Sequence, residues 1–86
     1  MDTTQQITEV DAIIHNLNEL QDDASVPRNV RTKVQTVITA LKEGTEIQIK
    51  VSRALSELDE VANDVNLQSY TRTQLWNIIS MLEKFN

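Results

Sequence analysis

A single glycine and a single proline stand in a chain of 86 residues. Tight turns between β-strands draw on both residue types, so a fold of many short strands is excluded. The apolar residues recur at spacings of three and four, which places them along one side of a helix. The chain is expected to be all-α. A first helix is expected over about 4–22, with Ile7, Val10, Ile13, Ile14, Leu17 and Leu20 inward. Thr3 and Gln6 can cap its start reciprocally. The segment DASVP at 23–27 breaks the pattern. Pro27 suits a first helical turn, where its missing N–H is not needed. The second helix is expected over about 27–43, with Val30, Val34, Val37, Ile38 and Leu41 inward. Gly44 is the expected stop, taking a positive φ. Thr45 is then the expected cap of a third helix over about 46–62, with Ile47, Val51, Ala54, Leu55, Leu58, Val61 and Ala62 inward. After a break at NDVNLQS, a fourth helix is expected over about 69–85, with Leu75, Ile78, Ile79 and Leu82 inward.

The halves align when the chain is shifted by 41 positions, which sets Leu17 over Leu58. Glu19/Glu60, Asp23/Asp64, Arg31/Arg72, Thr32/Thr73, Ile38/Ile79 and Leu41/Leu82 are then identical, and Val10/Val51 extends the match upstream. Shared amphipathicity explains the apolar matches. It does not explain an aspartate at the turn followed by Arg-Thr in the helix. The period and this pattern resemble HEAT-type repeats, but such repeats usually need about three units to bury a continuous core. Two hairpins must close on each other or stack on another chain. The expected architecture is a four-helix antiparallel bundle of two repeated helical hairpins, HEAT-like in pattern and closed on itself. It forms a single domain over 1–86, with hairpin one at about 4–43 and hairpin two at about 45–86.

SVPRNVRTK at 25–33 and YTRTQLWNIISMLE at 70–83 resemble uncharacterised protein family 0147, a group of short archaeal proteins. The resemblance covers nearly the whole chain. In that family a proline often stands in the second turn as well, where this chain has Gln68. The resemblance implies an archaeal cytosolic origin and a helical bundle. It carries over no functional residue, because the family has no assigned activity.

The net charge is −5, which argues against broad binding of nucleic acid. The charges are uneven. Residues 1–23 carry Asp2, Glu9, Asp11, Glu19, Asp22 and Asp23 and no base, whereas residues 24–44 carry Arg28, Arg31, Lys33 and Lys42 against Glu43. An acidic helix beside a basic one suits antiparallel neighbours. There is no cysteine, which fits a reducing compartment, and His15 is the sole histidine, so a structural zinc is not expected. No apolar run approaches the ~20 residues that span a bilayer. The polar start lacks the basic region of a signal peptide. The expected location is the cytoplasm, without membrane contact.

Few residues suggest chemistry. Arg31 and Arg72 lie in the first turns of helices, where anions are favoured. Their recurrence points instead to structural turn pairs, Asp23 with Arg31 and Asp64 with Arg72. Arg28, Arg31 and Lys33 together keep an anion-binding alternative open. Asp22, Asp23, Asp59, Glu60 and Asp64 lack the inward Glu and Glu-x-x-His pattern of a bundle metal site, so no metal and no cofactor are expected. No nucleophile with a supporting base is evident, and a lone glycine does not make a phosphate loop, so no catalytic residue is assigned. Two apolar side chains fall off the inward stripes. Ile49 lies about 160° around the third helix from Val51, and Trp76 about 110° from the Leu75–Ile79–Leu82 stripe. They are the interface candidates. The expected function is a non-enzymatic protein-interaction module with an unknown protein partner. It is expected to be oligomeric, most simply as a homo-dimer. The alternative is a nucleic-acid or ribosome-associated factor using Arg28, Arg31 and Lys33.

Overall fold

Each of the four apolar stripes lies on a helix. The structure, a computed structural model, describes residues 3–85, with side chains from Glu9 onward. The helices are α1 (Thr3–Asp22), α2 (Arg28–Lys42), α3 (Ile47–Ala62) and α4 (Ser69–Glu83), and no strand occurs among the described residues. Ile7 and the Thr3–Gln6 cap lie outside the described side chains. The connections are short, so successive helices return antiparallel. α1 packs on α2 and α4, and α3 packs on α2 and α4. The assembly measures 38 × 20 × 18 Å.

The helices place one hydrophobic cluster between them. Val10, Ile13, Leu17 and Leu20 enter it from α1, and Val30, Val34, Val37, Ile38 and Leu41 from α2. Val51, Ala54, Leu58, Val61 and Ala62 come from α3, and Leu75, Ile78, Ile79 and Leu82 from α4. Ile14, Ile47 and Leu55 are only partly buried at its edge. Fully burying a Leu or Val stabilises by about 1.5–3 kcal/mol, so this cluster dominates the fold's energetics. Three further members come from the connections and the end of the chain: Val26, Leu67 and Phe85. They sit outside the helical stripes, so periodicity gives no sign of them.

The helix starts differ from the expected chemistry. Pro27 is the N-cap of α2 rather than its first helical residue, with φ −56° and ψ 145°. Gln68 takes the same role for α4, with φ −68° and ψ 149°. Extended backbone of this kind is what proline prefers, but glutamine adopts it equally well. Thr45 does not cap α3; Glu46 is the N-cap and makes no side-chain capping bond. Gly44 has no positive φ. α2 ends instead on an extended Glu43 whose N–H bonds the Ala40 carbonyl, so no left-handed residue is needed.

Candidate functional site

The two turns that join α1 to α2 and α3 to α4 have matching hydrogen bonds. In the first, Asp23 N–H donates to the Leu20 carbonyl at 3.3 Å and Val26 N–H to the Asp23 carbonyl at 3.1 Å. In the second, Asp64 N–H donates to Val61 at 3.1 Å and Leu67 N–H to Asp64 at 3.2 Å. Each aspartate side chain then folds over its own turn. Asp23 Oδ1 accepts from the Ser25 N–H at 2.9 Å and the Ser25 hydroxyl at 2.7 Å. Asp64 Oδ1 accepts from the Asn66 N–H at 2.8 Å. Val26 and Leu67, buried just before the next helix, occupy equivalent places.

The arginines do not bind these carboxylates. Among the described residues no guanidinium lies within ion-pair distance of Asp23 or Asp64. Arg72 turns to the backbone, donating from Nε to the Ala62 carbonyl at 3.3 Å and from Nη2 to the Asp64 carbonyl at 3.0 Å. Carbonyls at the end of α3 have no helical partner, and a cation is favoured there. Arg72 therefore caps the preceding helix, and the turn-pair expectation is corrected to that extent. Arg31 Nε is enclosed and has no hydrogen-bond partner among the described residues. Both arginines still act on the aspartates through space. The Asp23 carboxyl is held below the usual carboxylate range, chiefly by the Ser25 hydroxyl, then by the Ser25 N–H, with a smaller contribution from Arg31. Asp64 is lowered chiefly by the Asn29 amide, then by the Asn66 N–H and Arg72.

The basic start of α2 is divided between roles. Lys33 Nζ lies 2.6 Å from Glu57 Oε2 and 3.6 Å from Glu60 Oε2 on α3. These glutamates raise the Lys33 pKa, the Glu57 hydrogen bond most. Asn29 donates to Asp64 Oδ2 at 2.9 Å. Arg28 is exposed and Arg31 half-buried. The three bases thus do not form one unpaired cluster. The acidic α1 does not neutralise them either: among the described residues α2 finds its ion-pair partners on α3. The α1–α2 contact carries a Gln21–Gln35 hydrogen bond instead. His15 is exposed and pairs with Glu19 one turn on, at 3.0 Å.

Ile49 is 59% exposed and Trp76 43% exposed. They are not brought together. Trp76 lines a cleft between α3 and α4 with Leu55, Ser56, Asp59, Ile79 and Glu83, and Ile49 is not part of it. Ile79 is buried, Leu55 is half-buried, and both carboxylates are exposed. This cleft sets an indole and two aliphatic side chains beside two acids; Val65 and Tyr70 are exposed apolar side chains elsewhere on the chain. Trp76 was legible from its angular offset. The acids beside it were not, because charges on an outer helix face look alike in sequence until a neighbouring helix is placed.

The profile of an uncharacterised protein family, UPF0147, matches residues 1–85. The chain belongs to this family. A UPF0147 protein of Methanocaldococcus jannaschii is 44% identical over 69 residues, covering 79% of this chain and 74% of the relative. Another, of Thermoplasma volcanium, is 43% identical over 72 residues, covering 83% and 81%. Such relatives are archaeal. The crystal structure of a protein of unknown function, MMP1188, is 34% identical and superimposes with a TM-score of 0.85, covering 91% of this chain and 90% of that one. The four-helix, all-α fold is therefore common to this UPF0147 member and that protein. The family is uncharacterised, so membership assigns the chain no activity.

Proposed function

We propose that this UPF0147 member is a non-enzymatic protein-interaction module that engages a partner through the α3–α4 face around Trp76. The observation that carries the reading is the exposed indole beside Leu55 and Ile79. The equivalent position in the first half is polar Gln35. Tryptophan is costly to expose and is enriched where partners bind. Ile49 is a second, separate contact, suited to self-association, from which a small core gains. A twofold dimer is the simplest form. The cytoplasm is the expected location; no helix of the described residues is long and apolar enough to cross a membrane.

We also read the chain as one domain of two repeated hairpins closed on each other. The matched turn bonds around Asp23 and Asp64 support this, as does the packing of α1 on α4. The repeat then gives a scaffold, and the departure from it at Trp76 gives the specific surface.

The test is affinity capture from native cells with the parent chain and with Trp76→Glu, each with and without nuclease. Loss of the captured protein in Trp76→Glu, with an unchanged melting curve and no effect of nuclease, is expected. Equal capture by both chains removes the reading. Loss of all capture on nuclease treatment, with a steep fall in affinity as salt rises, moves it to the nucleic-acid alternative. Sedimentation equilibrium of the parent and Ile49→Lys tests the dimer separately.

A further inference from the structure

We propose that the Trp76 cleft receives an arginine from a basic segment of a partner protein, with the guanidinium against the indole and Asp59 and Glu83 as its counter-charges. The proposal rests on the interaction reading above and adds the chemistry of the partner.

Charge complementarity carries it. The cleft is lined by Leu55, Ser56, Asp59, Trp76, Ile79 and Glu83, which include two acids and no base. None of the chain's lysines or arginines lines the cleft. Lys33 is held by Glu57 and Glu60 on the α2 side of α3. Arg72 is spent on the carbonyls of Ala62 and Asp64. Arg53 precedes Ser56 by three positions on α3, and Lys84 is the C-cap that follows Glu83. Neither lines the cleft. A second copy docking by a twofold axis through this face would bring the acids Asp59 and Glu83 of both copies to one interface, and like charges there oppose such a dimer. A basic partner meets no such cost.

The residue types of the cleft further favour arginine. An exposed aromatic face attracts cations. A planar guanidinium stacks on it while its N–H groups remain free to bond carboxylates at the edges, which a lysine ammonium does not match. The aliphatic stem of arginine covers apolar surface such as Leu55 and Ile79. The cleft volume of about 380 Å³ is small for a whole helix but adequate for one long side chain and its neighbours.

Trp76 is the only tryptophan, so its fluorescence reports the cleft directly. The probe is a synthetic amphipathic peptide carrying arginine, with lysine and glutamate counterparts. The arginine peptide is expected to change Trp76 emission saturably, more tightly than the lysine peptide, and the glutamate peptide not at all. In Asp59→Asn/Glu83→Gln the affinity should fall about tenfold, the scale of two exposed charge pairs. In Asp22→Asn/Glu43→Gln, which changes net charge equally elsewhere, it should hold. Equal losses in the two double variants would reduce the effect to net charge and overturn the proposal, as would no emission change with the arginine peptide. The capture experiment separates the two levels. If Trp76→Glu loses the cellular partner while the peptide fails to bind, the interaction reading stands and the arginine proposal falls. If Trp76→Glu captures what the parent captures, the interaction reading itself falls.

Discussion

A carboxylate that accepts hydrogen bonds in the folded chain, and only water in the unfolded one, makes stability depend on pH. Asp23 and Asp64 are such groups, each lowered from an ordinary value of 3.8. Because the folded value is the lower one, their contribution is fully present above the unfolded value. It is lost as pH falls below 3.8 through the folded value. The melting temperature of Asp64→Ala should therefore lie below that of the parent at neutral pH, and the gap should narrow on acidification below about pH 4. A gap that persists at low pH would show that the turn needs the carboxyl group but not its charge. Lys33 has the opposite sign: its value is raised from 10.5, so its contribution is lost only as pH rises beyond that. The aspartates themselves were legible, since the repeat singled them out. Their longer-range partners were not. Ser25 is adjacent and follows from local turn chemistry, but Asn29 reaches Asp64 from another helix, and Arg72 prefers backbone carbonyls to the carboxylate. Sequence separation hides the first, and the second is a choice between two acceptors that only the turn's geometry decides.

The four helices were readable to within about two residues at each described boundary, because each stripe is long enough to fix its period. What failed was the chemistry of the α2–α3 connection. Glycine after a helix usually signals a left-handed stop, yet Gly44 has no positive φ, and a Cβ added to it would meet nothing within 4 Å. Gly44→Ala should therefore be neutral or stabilising by up to about 1 kcal/mol, through lower entropy of the unfolded chain. Destabilisation measured by urea unfolding would restore the left-handed reading. Thr45→Ala should likewise stay within about 0.5 kcal/mol, whereas a true cap would cost about 1 kcal/mol. Charge patterning misled in a related way. It paired acidic α1 with basic α2, but a helix in this arrangement has two neighbours. Lys33 finds Glu57 and Glu60 on the other one. Net charge per segment says which helices attract; it does not say which faces meet.

At the scale of the molecule, one core is shared by all four helices, and Leu17 and Leu58 are both fully buried in it. α1 packs on α4 as well as α2, and α4 on α1 as well as α3. A chain built this way should unfold as one unit, unlike an open repeat array, in which neighbouring units can melt separately. Trp76 makes that testable, because its cleft is lined by residues of α3 and α4 alone. Leu17→Ala, in the first hairpin, should cost about 2–5 kcal/mol, as buried leucine truncations do. The decisive observation is where the loss appears. If the hairpins close on each other, the Trp76 fluorescence transition should move to lower denaturant by as much as the far-ultraviolet circular dichroism transition, although Leu17 and Trp76 lie in different halves. Leu58→Ala should behave in the same way. A Trp76 transition that stays in place while the dichroism curve splits would mean that the second hairpin stands alone, and that the two halves are stacked rather than closed.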